Sequence, residues 1–306
     1  MDAVGIGVAV RDLTIRLPRP PAPDAKVRAE GFAESGGGPV PTALVTLARM
    51  GRRCAFGGVV GRDPAGDLIA ESIAREGVGI AGLARRDGWV SPTSVILVHD
   101  GGRSVCEWRQ EDLPYAAADL EPLHPALESC RYLLIDARMP EAQIEAARRT
   151  RRHGGRVLLD CGHPRPGVDE LLGLCDIAIV SHSYRASEPG AEPDAAAFLE
   201  RLRSRLAPDG PRIAGMTLGP EGCIILDEAG TPIRVAGIRV EAVDTTGAGD
   251  VFHGAFVHAL LDGDSIPRAA AFANAAAAHK CLGPTGRAPL PGPEAIRRTA
   301  ETGRLA

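Results

Sequence analysis

Short apolar runs recur along the chain and alternate with segments that have helical periodicity. Residues 3–10 form a run rich in valine and isoleucine, and Asp12 follows just past its end. From residue 130 the rhythm becomes regular, and such runs predict buried strands. The predicted strands are 131–136, 156–160, 176–180 and 212–218, and the predicted helices between them are 141–152, 168–173 and 194–205. This alternation favours an α/β fold with a doubly wound, mostly parallel sheet.

Two further patterns depart from this alternation. Residues 93–99 and 103–109 are β-type segments joined by Asp100-Gly101-Gly102, which predicts a hairpin. A second hairpin is predicted over 222–227 and 232–240. The remaining predicted elements are helices over 42–50, 64–76, 250–262 and 266–281 and a strand over 53–60. We therefore expect a single domain over 1–306, with a small β-lid formed by about 12–35 and 93–110.

Composition narrows the classes of partner. The net charge is −4, and aromatic residues make up only 4% of the chain, so we expect no nucleic-acid partner. The seven cysteines form no CxxC pair, which is typical of free thiols in a reducing compartment. No apolar run approaches the roughly 18 residues that would indicate a membrane span, and the N-terminus has no signal-peptide pattern. We expect a cytoplasmic protein that does not bind a membrane.

The run Asp244-Thr-Thr-Gly-Ala-Gly-Asp250 carries the strongest chemical signal. It stands between a strand-like segment and an amphipathic helix, which puts Gly247, Ala248 and Gly249 at a helix N-terminus. Small residues there let backbone amides approach an anion, and the helix dipole favours negative charge. Asp250 is then placed as a base that takes the proton of an attacking hydroxyl. An ordinary helix cap is the structural alternative for Asp250. A cap, however, needs neither the three small residues nor the Asp-Thr-Thr lead-in, so the run predicts phosphoryl transfer.

Other nucleotide-binding classes lack their signatures in this chain. No GxxxxGK[ST] sequence and no protein-kinase HRD or DFG set is present. The run resembles the C-terminal signature of the PfkB, or ribokinase-like, family of carbohydrate kinases. Residues 36–51 and 56–61 resemble its N-terminal signature, and 217–222 resemble its nucleotide-binding turn. These motifs stand in the family's order over nearly the whole chain.

The resemblance implies a role for each matching residue. Asp250 matches the catalytic base, and Gly247, Ala248 and Gly249 match the anion hole. Sugar contacts are implied for Asp12, Gly36, Gly37 and Gly38, and nucleotide contacts for Thr217, Gly219, Gly222 and Asn274. Asp244 and Thr246 match a region where many members hold a monovalent cation, so K⁺ is a further expectation. ATP and Mg²⁺ are the implied cofactors, a sugar the implied substrate, and a homodimer through the lid the expected assembly.

Within that family the chain resembles the sulfofructose kinase branch. Asp136-Ala137-Arg138 is similar to an Asp-Val-Arg whose arginine holds a sulfonate there, and a guanidinium suits any oxyanion. Glu107 stands where that branch has an asparagine. Its carboxylate would repel a sulfonate unless it pairs with Arg103, Arg109 or Arg138. The family's NxxE pattern, expected near 181–184, is absent.

Several alternatives stay open. Arg138 could be a surface residue that pairs with Asp136, and Asp12 could merely end its strand. His253 and His258 are interpreted as packing or surface residues, and His163 follows a strand end, where ligands collect. A nucleoside kinase, another ketose or ribose kinase, or a non-catalytic sugar- or nucleotide-binding regulator would share the fold. The intact Asp250 and Gly-Ala-Gly argue against the regulator.

Overall fold

A computed structural model describes residues 1–99, 102–188, 194–210 and 212–305. Its strands, in chain order, are β1 Ala3–Ile6, β2 Val10–Arg16, β3 Gly31–Gly37, β4 Cys54–Gly61, β5 Gly79–Arg86, β6 Thr93–His99, β7 Gly102–Trp108, β8 Tyr132–Ile135, β9 Arg156–Cys161, β10 Ile177–Ser181, β11 Ile213–Thr217, β12 Cys223–Leu226 and β13 Pro232–Val235. Its α-helices are α1 Pro39–Arg49, α2 Pro64–Ala74, α3 His124–Ser129, α4 Pro140–Arg152, α5 Val168–Leu172, α6 His182–Ser187, α7 Ala195–Ser204, α8 Ala248–Leu261, α9 Ile266–Cys281 and α10 Pro293–Thr302. Short 3₁₀ turns cover Ala117–Leu123 and Gly219–Glu221.

The larger sheet, which we call the main sheet, has the order β13-β12-β11-β10-β9-β8-β1-β4-β5. Its strands pair in parallel from β11 through to β5, and β12 joins antiparallel between β11 and β13. Its apolar strands are buried on both faces: every residue of β1, β8 and β12 is buried. The predicted α/β class with a mostly parallel sheet is confirmed.

Helices cover both faces of the main sheet, which gives two apolar cores. One core joins α1, α2, α8 and α9 through side chains such as Leu47, Ile73, Phe256 and Phe272. The other joins α4, α5 and α7 through side chains such as Ala146, Leu171 and Phe198. Because β-α-β crossovers bring the carboxyl ends of parallel strands to one edge, the polar residues that follow these strands meet there.

A second sheet, the small sheet, has the order β3-β2-β6-β7. Its members come from the two regions predicted as a lid, although the strands start at Val10 and end at Trp108. The predicted strand 3–10 is wrong as one element, because it ends at Ile6 and a new strand begins at Val10. Asp12 therefore lies within β2, opposite Ser35 and Ser94, and not past the end of β1. The predicted turn residues Asp100 and Gly101 lie outside the described residues.

Other elements of the structure also differ from the prediction. β5, at the edge of the main sheet, combines small and apolar residues with two arginines at its end, and α10 begins at the last residue of a Pro-Gly-Pro run that interrupts any helical periodicity. β13 is shorter than predicted, since it ends at Val235. Among the described residues, no helix combines the length and the apolar character that crossing a membrane requires.

Candidate active site

A cavity of about 440 Å³ lies between the carboxyl edge of the main sheet and the inner face of the small sheet. One wall comes from the start of α8 and the ends of β8 to β11, and the opposite wall comes from β2, β6 and β7. The cavity thus collects residues that are far apart in sequence, among them Asp12, Arg138, Thr217 and Asp250.

The start of α8 has the geometry of an anion-binding turn. Gly247 is the N-cap with φ 72°, and a Cβ there would lie 2.5 Å from the carbonyl oxygen of Gly286. Only glycine fits this close, left-handed position without strain. The Ala248 amide donates to the carbonyl of Thr245 at 3.3 Å, and a Cβ on Gly249 would meet nothing within 4 Å. The first amides of a helix lack intrahelical partners, so this turn presents donors to the cavity.

Asp250 lies in the first turn of α8 and lines the cavity. Desolvation and the negative charge of Asp160 together raise its pKa to about 7, although His253 opposes this rise. Within the described residues its carboxylate makes no hydrogen bond or ion pair. Its oxygens are thus available to accept a proton, and such a pKa lies close to the pH at which a general base works best.

The segment before the turn is held by Asp244, which is buried. One oxygen of its carboxylate accepts from the amide and hydroxyl of Thr246, at 2.8 and 2.6 Å, and the other accepts from the amide of Thr285 at 3.1 Å. The buried ammonium of Lys280 donates to the carbonyl oxygen of Asp244 at 2.6 Å. A positive charge of the protein itself therefore lies beside Asp244, and the assignment of Asp244 and Thr246 to a monovalent cation stays a prediction.

The glycines before α1 let Asp12 reach the cavity. A Cβ on Gly37 would lie 2.0 Å from the Asp12 carboxylate, and one on Gly38, where φ is 98°, would lie 2.2 Å from the carbonyl oxygen of Val8. A Cβ on Gly36 would meet Ser72 and Arg287. Burial raises the pKa of Asp12 to about 6, although Arg287 opposes this rise. Gly38 and Asp12 line the cavity, whereas the other two glycines act through packing.

The buried carboxylate of Asp136 holds the backbone at Arg138, and the Arg138 side chain lines the cavity. One oxygen of the Asp136 carboxylate accepts from the Val8 amide at 2.8 Å, and the other accepts from the Arg138 amide at 3.1 Å and from Gln143 at 2.8 Å. Asp136 thus binds the backbone of Arg138 and not its side chain, which removes the surface-pair alternative.

The Arg138 guanidinium pairs instead with Glu107 of β7 at 3.1 Å. Glu107 also pairs with Arg109 at 3.2 Å. The Glu107 carboxylate is therefore paired with arginines, which is the condition under which it can lie near a bound anion. Arg103, on the same strand, donates to the Thr245 hydroxyl at 2.5 Å and so connects the small sheet to the segment before α8.

The residues expected to contact nucleotide differ in whether they line the cavity. Thr217 ends β11 and lines the cavity. Gly219 and Gly222 form the next turn with φ 60° and 93°, and a Cβ on Gly222 would lie 2.1 Å from the carbonyl oxygen of Val235. The Asn274 amide donates to the carbonyls of Val235 and Ala236, both at 3.2 Å. Asn274 therefore holds the chain after β13, and its contact with nucleotide stays a prediction.

Three cavity residues were missed or misinterpreted from the sequence. Asp160, at the end of β9, lies 3.2 Å from the His253 ring, which is buried on α8 and lines the cavity. Arg165 also lines it, and burial lowers its pKa, with Arg138 lowering it further. The rule that ligands collect where parallel strands end could have found Asp160 and, less directly, Arg165. For His253, the signal was its place one helical turn after Asp250.

The described residues do not by themselves provide a cage for magnesium. They contain no group of three or more His, Cys, Asp or Glu side chains that could hold a metal. Ser181 and Tyr184 stand where NxxE is expected; the Ser181 hydroxyl caps α6 and Tyr184 is buried. These residues do not form a protein-built Mg²⁺ site, so no step below passes through the metal. Mg²⁺ commonly binds through substrate phosphates and water, which needs no such cage.

Comparison with known proteins assigns the family. The pfkB family carbohydrate kinase model matches residues 2–292, so the chain belongs to this family. It is therefore a carbohydrate kinase, a phosphotransferase with an alcohol group as acceptor. It is 27% identical to the ribokinase of Haemophilus influenzae over 89% of this chain and 90% of that protein. It is 24% identical to the ketohexokinase of Mus musculus over 90% of this chain and 94% of that protein.

Solved structures confirm the ribokinase-like fold. The Arabidopsis thaliana ribokinase complexed with ribose and ATP matches with a TM-score of 0.80 and 22% identity, over 98% of both chains. A crystal structure from E. coli in complex with ATP and Mg²⁺ matches with a TM-score of 0.82 and 20% identity, over 98% of this chain and 99% of that one. At these identities the likeness supports the fold alone.

Proposed function

We propose that this protein transfers the γ-phosphoryl group of ATP to a hydroxyl of an acidic ketose, with a sulfonated ketose such as sulfofructose as the leading candidate. The observation that carries the acidic substrate is the charge at the β8–β9 end of the cavity. Three guanidinium groups, Arg109, Arg138 and Arg165, gather there with three carboxylates, Glu107, the buried Asp136 and Asp160. Asp136 accepts hydrogen bonds from two backbone amides and from Gln143, and Asp160 lies 3.2 Å from the His253 ring. Arg138 and Arg165, which line the cavity, are therefore placed to meet an anion.

Glu107 is compatible with an anionic substrate on this account. Its carboxylate is the partner of Arg138 and Arg109 when no substrate is bound, and its side chain is about one-third exposed. An incoming sulfonate or carboxylate offers the same two arginines an oxyanion of better fit, since guanidinium groups form paired bonds with such groups. Glu107 then moves toward solvent, and the like charges separate.

The reaction itself needs few protein groups. The sugar hydroxyl lies against Asp250, which takes its proton as the hydroxyl oxygen forms a bond to the γ-phosphorus. The bond from that phosphorus to the β,γ-bridging oxygen breaks, and ADP leaves from the Thr217 side. Charge on the transferring group is stabilised by the amides of the Gly247–Gly249 turn and by the dipole of α8. Mg²⁺, arriving with the nucleotide, would supply further charge neutralisation.

A homodimer is proposed through the outer face of the small sheet. The cavity-facing positions of β6 are buried, whereas the alternate apolar positions are only partly covered. On the same outer face Phe32 is 67% exposed and Trp108 is 52% exposed. Contiguous apolar surface of this kind marks an interaction site, and a two-fold pair would cover both copies. We place the protein in the cytoplasm, in keeping with seven free thiols.

The test is ADP release by the purified protein with a panel of sugars. The panel pairs neutral ketoses and ribose with ketoses that carry a sulfonate, carboxylate or phosphate, and it includes nucleosides. We expect turnover that is highest with one of the anionic ketoses, and a parallel series with and without K⁺ tests the cation. Turnover restricted to neutral sugars or nucleosides would contradict the acidic-substrate proposal.

A further inference from the structure

His253 lies one helical turn after Asp250 on α8, with its ring enclosed between the ends of β9 and β10. The ring Nδ1 is 2.7 Å from the carbonyl oxygen of Gly249 and 3.2 Å from a carboxylate oxygen of Asp160. The ring Nε2 is 3.0 Å from the carbonyl oxygen of Ile179. The side chain is 4% exposed. A ring in this position contacts the anion turn, the main sheet and a second carboxylate at once.

These contacts determine which protons the ring carries. A carbonyl oxygen can only accept a hydrogen bond, and each ring nitrogen faces a carbonyl oxygen. Neutral imidazole has one donor and one acceptor, so it would leave one nitrogen lone pair pointing at an oxygen lone pair in a buried place. Both contacts are satisfied only when both nitrogens donate, which makes the ring a cation.

The surrounding carboxylates give the cationic ring an ion-pair partner and a role in the electrostatics of the site. Burial raises the pKa of Asp160, and His253 opposes this rise. The described charged groups that face Asp250 are Asp160 from β9, His253 from α8, Asp12 from β2, Arg103 from β7, Lys280 from α9 and Arg287 from the loop after α9. Asp136 and Arg138 face Asp160 in turn. Without a cation between them, two carboxylates would repel each other at the point where the base must be ionised.

We propose that His253 is a positioning residue that acts as a buried imidazolium, which neutralises Asp160 and so keeps Asp250 ionised for proton abstraction. This rests on the proposed function in one respect, namely that Asp250 is the base. The same ring also donates to the Gly249 carbonyl oxygen. That contact polarises the peptide group that joins Gly249 to Asp250. The amide of this group lies at the N-terminal end of α8, where the anion would bind.

The first test observes the ring directly and needs no activity. In protein labelled with ¹⁵N at histidine, the two ring nitrogens of His253 are assigned with the His253→Gln variant and measured at about pH 7.5. We expect both to carry a proton. One unprotonated ring nitrogen at that pH overturns the proposal, whether or not any sugar of the panel is phosphorylated. Conversely, if the protein transfers no phosphoryl group, the proposed function is contradicted, but the protonation state of His253 measured here is unaffected.

The second test is the pH profile of kcat/KM, measured on the sugar that the panel identifies. His253→Gln keeps the volume and one donor but removes the charge. We expect its acidic limb to move to higher pH by on the order of 1 unit, because a neighbouring cation has been lost. His258→Gln is the matched control, since His258 is buried on the same helix but accepts a hydrogen bond from Arg52 and lies beside Asp262, away from the cavity. A His253→Gln profile that coincides with the wild type and with this control overturns the proposal.

Discussion

The two walls of the cavity are built in different ways. The wall at the start of α8 is fixed by backbone contacts and buried groups: Gly247 fits against Gly286, and the Asp244 carboxylate accepts three hydrogen bonds. The wall from β7 is fixed by ion pairs on a strand whose every residue is exposed. On the proposed function, the α8 wall carries the chemistry and the β7 wall carries the specificity. The α8 wall can tolerate little change, whereas the β7 wall can change its charges without disturbing the main sheet.

The largest effect is expected from removing the base on the α8 wall. Asp250→Asn should lower kcat/KM by about 10³- to 10⁴-fold, because the attacking hydroxyl loses its proton acceptor. Nucleotide binding should change little, since the Gly247–Gly249 amides remain. Steady-state ADP release and calorimetric titration with ATP analogues check the two halves of this prediction. A variant that retained more than about one-tenth of the activity would exclude Asp250 as the base.

A second change tests whether the α8 wall is rigid. Gly247→Ala should destabilise the protein by about 1–3 kcal/mol, because alanine is strained at φ 72° and its Cβ would meet a backbone oxygen. Gly249→Ala is the matched control: it lies two residues away, in the same turn, with open space around its Cβ. We expect Gly249→Ala to fold as the wild type does. Urea unfolding of both variants measures the contrast, and equal stability of the two contradicts it.

The ion pair between Glu107 of the β7 wall and Arg138, which follows β8, is tested by charge. Arg138→Ala should raise KM for an acidic ketose by about 10- to 100-fold, the loss of one charged hydrogen-bond pair, and leave neutral sugars nearly unchanged. Glu107→Gln is the matched control on the partner side, and we expect it to improve binding of anions slightly. The readout is kcat/KM on acidic and neutral members of the panel. Equal loss on both kinds of sugar would speak against charge recognition.

The smallest effect on catalysis is expected at the outer face of the small sheet. Phe32→Asp places a charge on the proposed dimer surface, where the wild-type ring is 67% exposed. We expect a monomer by light scattering, with thermal stability of the main sheet nearly unchanged. Glu34→Lys, on the same strand and face but at a polar position, serves as the control. A wild type that is already monomeric contradicts the dimer.

The same contrast explains what could be predicted from the sequence. The turn and the helix start of the α8 wall were predictable because they are local: seven consecutive residues carry them together with the proposed base. The elements of the main sheet were likewise visible as buried runs. The break between β1 and β2 was not, because Ala9 and Val10 are as apolar as a continuing strand. The close neighbours of Gly7 at this break, Val40 and Asp136, come from distant parts of the chain.

The cavity's non-local partners needed the fold. Asp160 and His253 are 93 positions apart, and Glu107 and Arg138 belong to different sheets. A histidine inside an apolar helix looks like a packing residue until the strand end it faces is known. Arg287, beside Asp12, lies in the loop after α9, and Lys280, beside Asp244, lies at the end of α9. Neither segment has a hydrophobic pattern that predicts these contacts.

The central claim is that a desolvated carboxylate beside the anion turn is the base. The most direct measurement is kcat/KM of the wild-type enzyme as a function of pH, with the Asp250→Asn variant as the baseline. Desolvation places the pKa of Asp250 at about 7, and only the ionised form accepts the proton. We therefore predict a rate that is constant above about pH 8 and falls about tenfold for each unit below about pH 7. A rate that stays flat from about pH 8 down to about pH 5, near the pKa of an ordinary carboxyl, would contradict the account.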